Sequence, residues 1–121
     1  MKINTYVSLR AILAEYPLLE VTAHTDSAHI GEVRRVTHIR HGSFYSIPVD
    51  KIPDDHTQAF NVGEKTLVLD SSCVEFHDDI CSVYYYGKHA PDRLIMSFRI
   101  LDDETAKDLL MKRAKKREVA A

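Results

Sequence analysis

The sequence predicts an α+β domain: an antiparallel sheet of about seven strands, open or curled into a partial barrel, with one helix packed on it near each end of the chain. Three observations carry this. Lys65 to Leu101 breaks into short apolar, β-branched and aromatic runs, separated by Asp-Ser, Asp-Asp and Gly/Pro clusters. Runs and breakers at that spacing mark antiparallel strands. Tyr6, Leu9, Ile12, Leu13 and Tyr16 recur at helical spacing near the N-terminus. Residues 103–117 start acidic and end basic, which complements a helix dipole.

The first helix is expected over residues 4–16, capped by Asn4 or Thr5 and stopped by Pro17, which cannot continue the ladder. Leu18 to His24 alternates as a first strand. His29 to Arg40 reads as a longer strand. Its apolar members Ile30, Val33, Val36 and Ile39 are three apart, so a bulge near Arg34-Arg35 is needed to restore alternation. His41-Gly42 is a turn, and Ser43 to Val49 a third strand with Tyr45, Ile47 and Val49 on one face. Pro48 places that strand at a sheet edge. Asp50 to Lys65 is the longest irregular segment, with at most one turn over His56–Phe60. Loops of this length in a small domain are often functional.

Leu67–Leu69, Cys73–His77, Ile80–Tyr86 and Arg93–Leu101 supply the remaining strands. In the last, Leu94, Met96, Phe98 and Ile100 share a core face, opposite Arg93, Ile95, Ser97 and Arg99. Placing Tyr86 opposite Arg93 puts Cys81, Val83 and Tyr85 on the core face and Tyr84 and Tyr86 beside Arg93 and Arg99. The closing helix is capped by Asp102 or Asp103, carries a modest stripe of Ala106, Leu109, Leu110 and Ala114, and ends in a basic run from about residue 112.

With 121 residues the chain is read as one domain, large enough to hold a core without disulfides or metal. A formal net charge of −2 disfavours both a strongly basic nucleic-acid binder and a highly acidic mimic. No apolar run reaches membrane-spanning length, and the N-terminus lacks a signal peptide's apolar segment, so a cytoplasmic protein without membrane association is expected. Cys73 and Cys81 are read as reduced and buried.

Chemistry is sparse. Cys73, His77, Cys81 and His89 have zinc-ligand chemistry, but the cysteines fall in separate strands rather than on a tight turn. His38, Arg40 and His41 have the residue types of a histidine-based nuclease, and Asp54-Asp55-His56 and Asp78-Asp79 those of acid–base groups. Adjacent carboxylates in turns are ordinarily solvated turn formers. No glycine-rich phosphate loop is present. No metal or cofactor is expected.

Three functions follow in order. The first is a small non-enzymatic protein-binding module, an inhibitor or adaptor of the kind phages and mobile elements carry. Its contact residues are Tyr84, Tyr86, Arg93 and Arg99, with Asp54 and Asp55 in the long loop. Tyrosine and arginine dominate interface hot spots. The second is an RNA- or DNA-binding domain using that face with Arg34, Arg35, Arg40, Lys112, Lys115 and Lys116. The third is a small metal- or histidine-dependent enzyme. A homodimer through an exposed third or seventh strand is also expected to be feasible.

Overall fold

The computed structural model describes residues 8–49, 57–63, 67, 73–85 and 93–120, with side chains as far as Lys116. The elements are α1 (Leu9–Glu15), β1 (Leu18–His24), a 3-10 turn (Ser27–His29), β2 (Val33–Arg40), β3 (Ser43–Pro48), β4 (Gln58–Asn61), β5 (Val74–His77), β6 (Ile80–Tyr84), β7 (Leu94–Leu101) and α2 (Asp103–Ala120). The seven strands form one sheet in the order β4-β3-β2-β1-β7-β6-β5. Every pairing is antiparallel. With β4 and β5 as free ends of that order, the sheet stays open and does not close into a barrel.

Two strand assignments change hands. Leu67, expected in a strand, is helical and fully buried. Gln58–Asn61, expected to be irregular or a single turn, is β4, paired with β3 from Ser43↔Asn61 to Ser46↔Gln58. Only Phe60 of these four residues is buried, so the segment has no alternation long enough to announce a strand; its partner imposes the conformation. The edges differ from expectation for the same reason. The Ser43–Pro48 strand lies inside the sheet between β2 and β4, and β7 lies near its centre. Neither offers an edge for the dimer pairing that the sequence suggested. Pro48 is the last residue of β3, where its missing N–H costs the ladder little.

The inner face of the sheet carries the main core. α1 contributes Leu9, Ile12 and Leu13, which meet Leu19 and Val21 of β1, Phe44 and Phe60, Cys81 and Val83, and Met96, Phe98 and Ile100. Phe44 touches Phe60 and Phe98 edge-on, with ring centroids 5.4 and 5.7 Å apart. The helix is capped by Ser8, whose Oγ accepts the Ala11 N–H at 3.2 Å; Asn4, Thr5 and Tyr6 lie outside the described residues. α1 ends at Tyr16, ahead of Pro17.

Bulges decide which side chains join the core. Along β6 and β7 the expected register holds from Ile80↔Arg99 to Val83↔Met96, then slips so that Tyr84 faces Leu94. Ile95 is the extra residue and packs on the core, while Leu94 stands with Tyr84 on the opposite face. Leu94 therefore leaves the core face predicted for it. Tyr85, beyond the slip and predicted to face the core, is exposed. In β2 the bulge sits between Val36 and His38 rather than at Arg34-Arg35. Val33 thus faces outward, while Val36 and Ile39 both pack on the inner core.

α2 covers part of the outer face. Ala106, Leu109 and Leu110 pack on Leu18, Val33, Val49 and Leu101 in a second, smaller core. Asp102 caps the helix, its Oδ1 accepting the Thr105 N–H at 2.7 Å, and those Thr105 hydrogen bonds hold its carboxyl below the ordinary value. Ala114, placed in the apolar stripe from sequence, is exposed. No helix among the described residues is long and apolar enough to cross a membrane.

Candidate binding surface

Alternation assigns the outer face of the β2–β3–β4 end residue by residue. Arg35 lies opposite Ile47, His38 opposite Tyr45, Arg40 opposite Ser43, and Tyr45 opposite Ala59. Paired residues share a face. Arg35, His38, Arg40 and Ala59 are exposed, and Tyr45 and Ile47 are half-buried. The His38 and Tyr45 rings lie parallel, 7° from coplanar, with centroids 4.2 Å apart. The Thr37 hydroxyl donates to the Tyr45 carbonyl at 3.1 Å and meets His38 Nδ1 at 3.1 Å. A hydroxyl has one proton, so His38 Nδ1 donates to Thr37, and the imidazole is held flat against Tyr45.

Among the described residues the charge of these strands is one-sided. No Asp or Glu occurs from Val33 to Val49 or from Thr57 to Gly63, whereas Arg34, Arg35, Arg40, His38 and His41 do. The chain as a whole is net negative at −2, so its acids lie outside these two stretches of sequence. Asp50, Asp54 and Asp55, in the intervening segment, lie outside the described residues.

Beneath this surface runs a buried polar chain that stiffens it. Leu19↔Arg34 pairing turns Arg34 to the inner face, where it is only 2% exposed. Its Nε donates to Ser46 Oγ at 2.8 Å, Nη2 to the Ser46 carbonyl at 2.9 Å, and Nη1 to Glu32 Oε1 at 3.0 Å. The guanidinium carbon lies 5.0 Å from the Phe60 ring centroid. Glu32 also accepts from His29 Nδ1 at 2.6 Å. That leaves His29 Nε2 to accept from the Gln58 amide at 2.9 Å. β2, β3, β4 and the 3-10 turn are thereby tied together. His24 sits at the end of the chain, its ring 4.9 Å from that of His29. Its Nδ1 accepts the Asp26 N–H at 2.8 Å. Partial burial, with the neighbouring His29 adding to it, holds His24 below the ordinary imidazole value.

Over β1 and β7 the outer face is covered by α2. Glu20 and Arg99 face each other across β1 and β7. Glu20 Oε1 accepts from Arg99 Nη2 at 2.8 Å, and its Oε2 from Arg113 of α2 at 2.9 Å. Arg99 is a latch for the helix, with its Nε buried and lacking an acceptor.

Of the predicted contact residues, Arg99 is the one bonded to Glu20 on β1. Tyr84 is half-buried on the outer face of β6, and Arg93 is exposed just before β7. Tyr86, Asp54 and Asp55 lie outside the described residues. Of the basic set, Arg35 and Arg40 share one exposed face, Lys112, Lys115 and Lys116 are exposed along the second half of α2, and Arg34 is enclosed. The His38–Tyr45 pair is not singled out by the sequence reading, although the His41-Gly42 turn determines it: closing the hairpin at Arg40↔Ser43 sets these rings side by side two residues on, before the bulge at Thr37 is reached.

Metal and thiol chemistry find little footing. Among the described residues no three His, Cys, Asp or Glu side chains converge on a metal position; His89 lies outside them. Cys81 is buried, and burial raises its thiol far above its ordinary value. No protein family, curated protein or solved structure matches the chain.

Proposed function

We propose that the protein is a non-enzymatic binding module, a cytoplasmic inhibitor or adaptor, that engages a protein partner through the outer face of β2–β3–β4. The observation that carries this reading is the acid-free composition of those strands, with Arg35 and Arg40 displayed around half-buried Tyr45 and Ile47 on one face. Arginine and tyrosine beside an aliphatic patch are the ingredients of an interface core, and the charge selects an acidic partner surface. The buried Arg34–Glu32–His29 chain supports it by holding the strands in place before binding, which lowers the ordering cost.

Nucleic acid is the second reading, favoured by exposed Lys112, Lys115 and Lys116 on α2 together with Arg35 and Arg40. It ranks lower because one face of the Tyr45 ring is already covered by His38 and the chain is net negative. Affinity capture from lysate with and without nuclease, on wild type and on an Arg35→Glu/Arg40→Glu variant, tests both. A protein retained after nuclease and lost with the double variant supports the first reading. Nucleic acid recovered in its place, with capture falling steeply as salt rises, supports the second.

A further inference from the structure

β1 and β2 part company midway along the sheet. Leu18–Glu20 pair with Val33–Arg35, and the Val36 N–H still reaches the Pro17 carbonyl at 2.7 Å. Before Pro17 the chain is α1, so Thr37, His38, Ile39 and Arg40 run on beside β3 without β1 on their other side. An open groove of about 360 Å³ fills the gap between α1 and this length of β2. Leu13, Pro17, Val36 and Ile39 make it apolar, Ala14 stands beside it, and its charged or polar members are Arg10, His38 and Thr37. Among the described residues no acidic side chain lines it.

We propose that this groove receives an extended segment of the protein partner in which aliphatic side chains alternate with carboxylates. The inference rests on the protein-binding reading above and names the part of the partner that is recognised. Three features select this occupant. Among the described residues Thr37–Arg40 have no strand on the side away from β3; such an edge accepts an extended chain, and alternate side chains of that chain then fall to one side. The aliphatic set would meet Leu13, Val36 and Ile39, which are in or packed against the main core. The other set would meet His38 and, two residues further along the same strand, exposed Arg40, with nothing acidic in β2 to repel it. Single-stranded nucleic acid fits poorly: among the described residues the one aromatic ring in the groove lining is His38, which stacks on Tyr45, and phosphates would lie over aliphatic side chains.

The test is selection of a displayed random dodecapeptide library on the full chain. Enriched peptides are then synthesised with a fluorescent label and titrated by anisotropy. Expected are sequences alternating Val, Ile or Leu with Asp or Glu, which shift the amide signals of Leu13, Val36 and Ile39. Ala14→Phe should weaken them at least about tenfold, a fold-change of roughly 1.4 kcal/mol. Ala14 is exposed on α1, so the added ring enters the groove and leaves the core intact, which an unchanged amide spectrum elsewhere would verify. Enrichment of no sequence, of basic sequences, or of peptides that bind Ala14→Phe as tightly as wild type would overturn the proposal. So would a single-stranded decanucleotide that shifts the same signals at lower concentration. If Ala14→Phe still captures the lysate partner that Arg35→Glu/Arg40→Glu loses, the groove inference fails and the protein-binding reading stands. If wild type captures no protein after nuclease, that reading fails on its own.

Discussion

Arg34→Met puts the buried charge chain to the test. Arg34 is 2% exposed and Glu32 8%, and Arg34 supplies hydrogen bonds to Glu32, the Ser46 hydroxyl and the Ser46 carbonyl. Methionine keeps much of the apolar stem against Phe60 but takes the guanidinium away from the Glu32 carboxylate, leaving the His29 N–H donating to it. Removing one partner of a buried ion pair costs about 3–5 kcal/mol, because the remaining charge is uncompensated. Against a total of about 5–15 kcal/mol for a domain, that leaves a marginal protein. Urea unfolding monitored by circular dichroism measures it. Adding Glu32→Gln removes the stranded charge while its amide oxygen still accepts from His29, so the double variant should recover part of the loss, with a coupling of about 1–3 kcal/mol. A single variant within about 1 kcal/mol of wild type, smaller than any buried-pair loss, would refute the reasoning. A double variant no better than the single one would do the same for the uncompensated charge as the cause.

Four further outcomes are expected. His24 has its folded value below its unfolded one, so the unfolded chain binds the extra proton first; stability should be intact above about pH 6.5, the ordinary value, and decline as pH falls through the folded value, with the decline flattened in His24→Gln. Urea midpoints from pH 7.5 to 5 read this directly, and parallel curves for the two proteins would contradict it. Phe98→Ala, at the centre of β7 with no exposed surface, should cost about 3–5 kcal/mol by opening a cavity; a much smaller change in the urea midpoint would mean the core collapses around it. In alkylation of the native protein, half-buried Cys73 should react while Cys81 stays protected until unfolding, and equal labelling by mass spectrometry would argue against the packing of β6. His41 adopts a φ of 53° in its tight turn, so His41→Gly should relieve about 1 kcal/mol of left-handed strain, seen as a raised melting temperature; a drop would show that the side chain holds the turn.

Much of the fold was legible in the residues. The β1 boundaries, the β6–β7 register up to Val83↔Met96, the tight turn at His41-Gly42 and the Asp102 cap each rest on local signals: alternation, breakers and a side chain that can satisfy its own backbone. Local signals failed where the decisive partner is distant in sequence. β4 shows only Phe60 to the core and exists because β3 pairs with it. The candidate surface was half legible. Arg35 and Arg40 were read as cations on β2, but their neighbour Arg34 was placed with them, since one residue of phase cannot be read from charge alone.

By itself the sequence determined the class of the domain, its helices, most of its strands and the absence of acid from Val33 to Val49, because these depend on composition and on periodicity within a dozen residues. The tertiary structure alone decided the strand order, the bulges at Thr37 and Ile95, the enclosure of Arg34 and the latch of Arg99 and Arg113 on Glu20. The physical reason is that a bulge or an ion pair is chosen by what lies across the sheet. Each alternative register satisfies the same local preferences, and only packing against residues far along the chain separates them by enough energy to select one.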